Sequence, residues 1–150
     1  MEAQKVNRPV KTILLTILGG ILIIPFTLRS KKHSFLISSI VPGAKGYVRV
    51  KKDDNKNYSI KVEVSDLAKV ERVNPSKSTY VVWMETGKDI SINLGQLKSS
   101  GSFLSKRLTA SLGTVSNTKP VKIFITTEDG TNLKHPGEQV VLTTERFSVK

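Results

Sequence analysis

The chain has 150 residues, of which 38% are hydrophobic and none is cysteine. One domain is the default at that length, and the missing cysteines exclude a disulfide scaffold, thiolate zinc or Fe–S sites and a cysteine nucleophile. Charge is the outlier: 24 Lys+Arg against 12 Asp+Glu leave a net +12, a balance that favours polyanionic neighbours such as nucleic acid, acidic glycan or an anionic membrane surface.

In chain order, the first feature is residues 12–28, seventeen positions without a charge. Lys5, Arg8 and Lys11 precede this run, and Arg29, Lys31 and Lys32 follow it. A spanning helix needs about 20 apolar residues, with about 17 as the lower limit. The flanking cations can snorkel outward to cover a small shortfall. A cleaved signal peptide would need a small-x-small site after the run, but the sequence there is Arg29-Ser30-Lys31-Lys32-His33. An uncleaved membrane anchor is the favoured reading, with a cleaved signal and a buried core helix as alternatives. Basic residues are balanced across the segment, so the positive-inside rule does not orient it. The eleven preceding residues are too few for a domain, which predicts a cytoplasmic tail at 1–11 and a C-terminal part outside the cytoplasm, periplasmic or cell-surface. Residues 29–41 are expected to form a juxtamembrane linker, and residues 42–150 the folded domain.

Within that domain the hydrophobic period is 2. Tyr58, Ile60, Val62 and Val64 alternate with Ser59, Lys61 and Glu63, the pattern of a half-buried antiparallel strand. Residues 46–51 alternate likewise, and 53–57 (Asp-Asp-Asn-Lys-Asn) between them are turn formers. Further strands are predicted over 80–85, 90–94, 104–112, 121–127 and 140–147. Residues 66–77 form a longer connection with room for one helical turn. Seven short strands with turn signals between them predict an all-β, immunoglobulin-like antiparallel sandwich. Its core is expected to include Tyr80, Trp83, Ile123 and Ile125. Trp83, the single tryptophan, sits mid-strand, where such sandwiches pack a Trp between their sheets.

Tyr80-Val81-Val82-Trp83, Leu94-Gly95, Ile125-Thr126-Thr127-Glu128, Pro136 and Val140-Val141-Leu142 together resemble the extracytoplasmic domain of anti-sigma-K factors. That family has a Tyr-x-x-Trp strand, then a Gly-containing strand, a Val-Thr-x-Glu-Pro-Gly-Gly segment, a Pro-Thr-Gly and a final apolar strand. Here Asp129 stands at the family's Pro, and Pro136-Gly137-Glu138 replaces Pro-Thr-Gly. Anti-sigma factors bind their sigma factor through a cytoplasmic helical domain ahead of the membrane segment, a place occupied here by residues 1–11 alone. The resemblance therefore implies the outer sandwich and its topology, without sigma-factor sequestration.

Catalytic patterns are sparse. The two histidines are His33, beside the apolar run, and His135, in a predicted loop. The sequence has no Gly-x-Ser-x-Gly elbow, zinc-binding His-Glu-x-x-His or phosphate-binding Gly-rich loop. Asp53-x-Asn55-x-Asn57 begins like a calcium loop, but Tyr58 and Val64 stand where that loop needs Gly and Glu. A polar hairpin turn is expected there instead. No cofactor and no metal are predicted. Arg49, Lys51 and Lys52 cluster at a strand end, but nucleic-acid readers add exposed aromatics or a recognition helix, so nucleic acid is not the expected partner. The sequence reads as a membrane-anchored, non-catalytic envelope module that binds or senses an envelope protein. The alternatives are an exported enzyme without a recognisable motif and a polyanion- or nucleic-acid-binding domain.

Overall fold

The computed structural model describes residues 30–100 and 108–150. The anchor segment 12–28, its flanking Lys5, Arg8, Lys11 and Arg29, and the predicted strand start at 104–107 lie outside these residues. No helix among the described residues is long and apolar enough to cross a membrane.

The described residues form nine strands: β1 (Lys32–Ser34), β2 (Lys45–Lys52), β3 (Tyr58–Leu67), β4 (Thr79–Thr86), β5 (Ser91–Gln96), β6 (Lys98–Ser100), β7 (Leu108–Ser116), β8 (Pro120–Glu128) and β9 (Val140–Thr143). Their pairing is antiparallel throughout. One sheet has the order β1-β2-β3-β7-β6 and the other β5-β4-β8-β9. A 3-10 turn, Val70–Arg72, lies in the long connection between β3 and β4, as the sequence suggested.

The two sheets meet over one apolar core. Val48, Val50, Ile60, Val62 and Val64 come from the first sheet, and Tyr80, Val82, Met84, Ile123, Ile125 and Leu142 from the second. Alternation explains the first set: in β3 the inward residues are buried while Ser59, Lys61 and Ser65 are exposed. Each fully buried aliphatic side chain contributes about 1.5–3 kcal/mol, and these layers hold the sandwich shut. Tyr80 keeps its polar end satisfied by donating its hydroxyl to the Ala68 carbonyl at 3.0 Å. Burial, with a smaller contribution from Glu71, pushes that phenol up to about 12.

Two strands were not legible in the sequence, and both close the edges of the sandwich. Residues 30–41, expected as a linker, carry β1, which pairs Lys32 with Arg49 and Ser34 with Tyr47. The chain then crosses to the other sheet: Phe35 bridges Thr144, and the Leu36 N–H donates to the Thr143 carbonyl at 2.8 Å. Among the described residues the sandwich therefore includes β1 from Lys32, ahead of the expected start at residue 42. At the opposite edge β5 passes into β6 through Leu97 alone, whose N–H donates to the Tyr80 carbonyl at 3.0 Å. A bulge beside Gly95 turns the chain. Gly95 has φ of +121°, a region that residues with a Cβ avoid. Strands that switch sheets at such corners leave few unpaired edge groups.

Candidate functional site

The two outer faces of the sandwich differ in what covers them. On the four-stranded sheet, Val81, Trp83 and Phe124 point away from the main core and form a second apolar cluster with Leu133. Trp83 is fully buried, but in this outer cluster and not between the sheets. The physical reason is register. Tyr80, Val82 and Met84 take the inward positions of β4, so Val81 and Trp83 face outward, where the segment between β8 and β9 folds back over them.

That segment is held by a buried polar relay. The Trp83 indole N–H donates to the Thr126 hydroxyl at 2.8 Å, which donates to a Glu128 carboxylate oxygen at 2.5 Å. The same oxygen accepts the Gly137 N–H at 2.7 Å. A Cβ at Gly137 would lie 2.8 Å from the other Glu128 oxygen, so a larger residue there would have to displace the carboxylate from the relay. Asn93 adds amide hydrogen bonds to the Thr131 and Leu133 carbonyls at 2.9 and 3.1 Å. Lys77 holds Asp129 at 2.6 Å. Glu128 thus acts as an internal loop fastener.

On the five-stranded sheet the outward residues keep to the surface. Tyr47 is half-buried on β2, with two cations over its ring: the Lys32 ammonium is 4.4 Å and the Arg49 guanidinium 4.9 Å from the centroid. Cations are attracted to the negative face of the ring. The Tyr47 hydroxyl donates to Glu63 and accepts from Arg49 at 3.2 Å. Lys61 pairs with the other Glu63 oxygen at 2.6 Å. Register places Lys32, Arg49, Lys61 and Gly113 in one row, and Ser34, Tyr47, Glu63, Ser111 and Lys98 in the next. Ser111 and Gly113, opposite Glu63 and Lys61, keep β7 low on this face. A shallow groove of about 550 Å³ runs past Tyr47, Glu63, Ser65 and Ser111. This flat, hydrogen-bonding face presents Lys32, Arg49, Lys61 and Lys98 against Glu63, and it can receive acidic groups.

Of the residues singled out in the sequence, Tyr80, Ile123 and Ile125 lie in the core between the sheets. Lys32 joins the open face. Lys31 is exposed and lines a cleft of about 470 Å³ with Lys51, Lys52 and Lys150 at the end of the sandwich where residue 30 enters. His33 borders the same cleft and stacks on Phe147 at 4.0 Å between ring centroids. Burial, assisted by Lys31, lowers its pKa. The Asp53–Asn57 turn is tied together by the Asn57 N–H donating to Asp53 at 2.8 Å. Among the described residues, no group of three His, Asp or Glu is placed to hold a metal ion. Tyr47 and Glu63 escaped the sequence reading. Each sits in an ordinary alternating strand, and only their register brings them together.

Comparison of the chain with protein-family models, curated proteins and solved structures finds no match.

Proposed function

We propose that this chain is a non-catalytic binding module of the cell envelope, held by residues 12–28 as an uncleaved membrane anchor, with its sandwich outside the cytoplasm. In this reading the sandwich is immunoglobulin-like in use, displaying one sheet face to a partner. The occupant is an acidic surface on another envelope protein. The observation that carries the reading is the asymmetry of the two outer faces. One is sealed by the chain's own loop, while the other leaves Lys32, Arg49, Lys61 and Lys98 on the same face as Tyr47. Aromatic and Arg side chains are the groups that most often anchor protein interfaces, and rows of like charge steer an opposite partner. The resemblance to anti-sigma-K outer domains supports a sensory use of such a module.

In-cell photocrosslinking tests it. A crosslinking amino acid at Ser59 or Ser111, both exposed on the open face, should capture one acidic envelope protein. The same probe at Asn132, in the covering loop, should not capture it. Arg49→Glu with Lys61→Glu should abolish the product. Equal capture from all three positions, or capture indifferent to the charge reversal, would overturn the proposal.

A further inference from the structure

We infer that the end of the sandwich where residue 30 enters is a docking surface for anionic phospholipid headgroups, contacted by Lys31, Lys51, Lys52 and Lys150. The inference rests on the anchor reading above and specifies which surface meets the membrane. Residue 28 ends the uncharged run and Lys32 already begins β1, so little chain separates bilayer from fold. Two residues span at most roughly 7 Å. The headgroup layer on each side of a bilayer is roughly 5–8 Å thick, from the total and hydrocarbon thicknesses. Ser30 therefore sits at headgroup level, and whatever surrounds it does too.

What surrounds it is basic. Ser30, Lys31, Lys51, Lys52 and Lys150 line one cleft of about 470 Å³. These lysines come from three distant parts of the chain, and only the β1–β2 pairing and the course of the chain after β9 gather them. Of the acids nearby, Asp54 and Glu145 are exposed, and the others are engaged within the fold. Asp53 turns its carboxylate back onto Asn57. Glu85 is held by Arg146 and Lys122, and Asp89 by Arg146. Each lysine near an anionic leaflet adds roughly a fivefold gain in partitioning, so the cluster acts as a composite site that residues 29–32 alone would not provide.

The test uses residues 30–150, which contain every described strand and the whole of the main core. Sedimentation with vesicles of phosphatidylglycerol and phosphatidylcholine is compared with phosphatidylcholine alone. Binding should require the anionic lipid, and Lys51→Gln, Lys52→Gln and Lys150→Gln combined should lower partitioning about 100-fold. Neutralising Lys45, Lys69 and Lys134, away from this end, should change it little; Trp83 fluorescence checks that each variant is folded. Equal loss in both triple variants, or equal binding to both lipids, would overturn the docking surface. Alkaline extraction of the full chain from membranes tests the anchor separately, so the failure of one reading is distinguishable from the failure of the other.

Discussion

The outer faces of the two sheets are made from neighbouring strands of one chain and meet opposite fates. In β4 every residue from Thr79 to Met84 is buried. In β3 the outward positions Ser59, Lys61 and Ser65 are exposed. The difference lies in what the chain lays on top: eleven residues between β8 and β9 cover Trp83 and Phe124, and nothing among the described residues covers Tyr47. A face sealed by its own loop serves stability, because its aromatic groups are satisfied internally. On the open face the aromatic ring and its cations stay at the surface, engaged with one another and with Glu63. The contrast teaches that an aromatic residue in a strand announces neither role by itself.

The comparison can be broken experimentally, starting where the effect should be largest. Removing residues 30–41 deletes one edge of the open face and leaves the covered face intact. It also removes Val41 from the core and Phe35 from its margin, where full burial of such a side chain contributes about 1.5–3 kcal/mol and partial burial less. That approaches the roughly 5 kcal/mol lower end of domain stability. Fragment 42–150 should therefore lose cooperative urea unfolding while 30–150 retains it. Next, Trp83→Ala should cost about 3–5 kcal/mol, whereas Tyr47→Ala on the open face should cost about 0.2–1 kcal/mol, the range of cross-strand pairs. Equal costs in denaturant unfolding would erase the distinction between a structural and a presented aromatic.

Thr126→Val keeps the volume and removes the middle of the relay. The buried indole N–H and the Glu128 carboxylate each lose a partner, at about 1–3 kcal/mol. The loop over Trp83 should then exchange its amide protons faster by hydrogen-exchange mass spectrometry, while β2 and β3 are unchanged. The smallest effect concerns His33. Its pKa is lowered from 6.5 by burial and by Lys31, so the unfolded chain binds the proton more readily. Stability should be complete above the ordinary value and be lost as pH falls below it through the lowered one. His33→Phe should flatten that part of a melting-temperature profile while preserving the stack on Phe147.

Much of the strand set was readable because period-2 alternation is a local signal. Residues 58–64 show it plainly, and the apolar run Ile123-Phe124-Ile125 already marks a strand buried on both faces. The edge strands were not readable. Lys32–Ser34 and Lys98–Ser100 are short, polar and without alternation, and they become strands only because β2 and β7 offer them hydrogen-bonding partners. Trp83 was readable as a buried residue, but its side of the sheet was not. Tyr80-Val81-Val82-Trp83 is apolar throughout, and a run without polar positions carries no phase.

By itself, the sequence determined that this is a β-rich domain behind a long uncharged segment, that it carries excess positive charge, and that its turns fall at the Asp, Asn, Gly and Pro clusters. Those properties follow from composition and from contacts between near neighbours. Only the tertiary structure decided that Trp83 faces outward under a loop, that Lys32 and Arg49 lie over the Tyr47 ring, and that Lys31, Lys51, Lys52 and Lys150 share one cleft. Each of those depends on strand register and sheet order, which are set by the summed burial of residues far apart in the chain and are invisible to any local window.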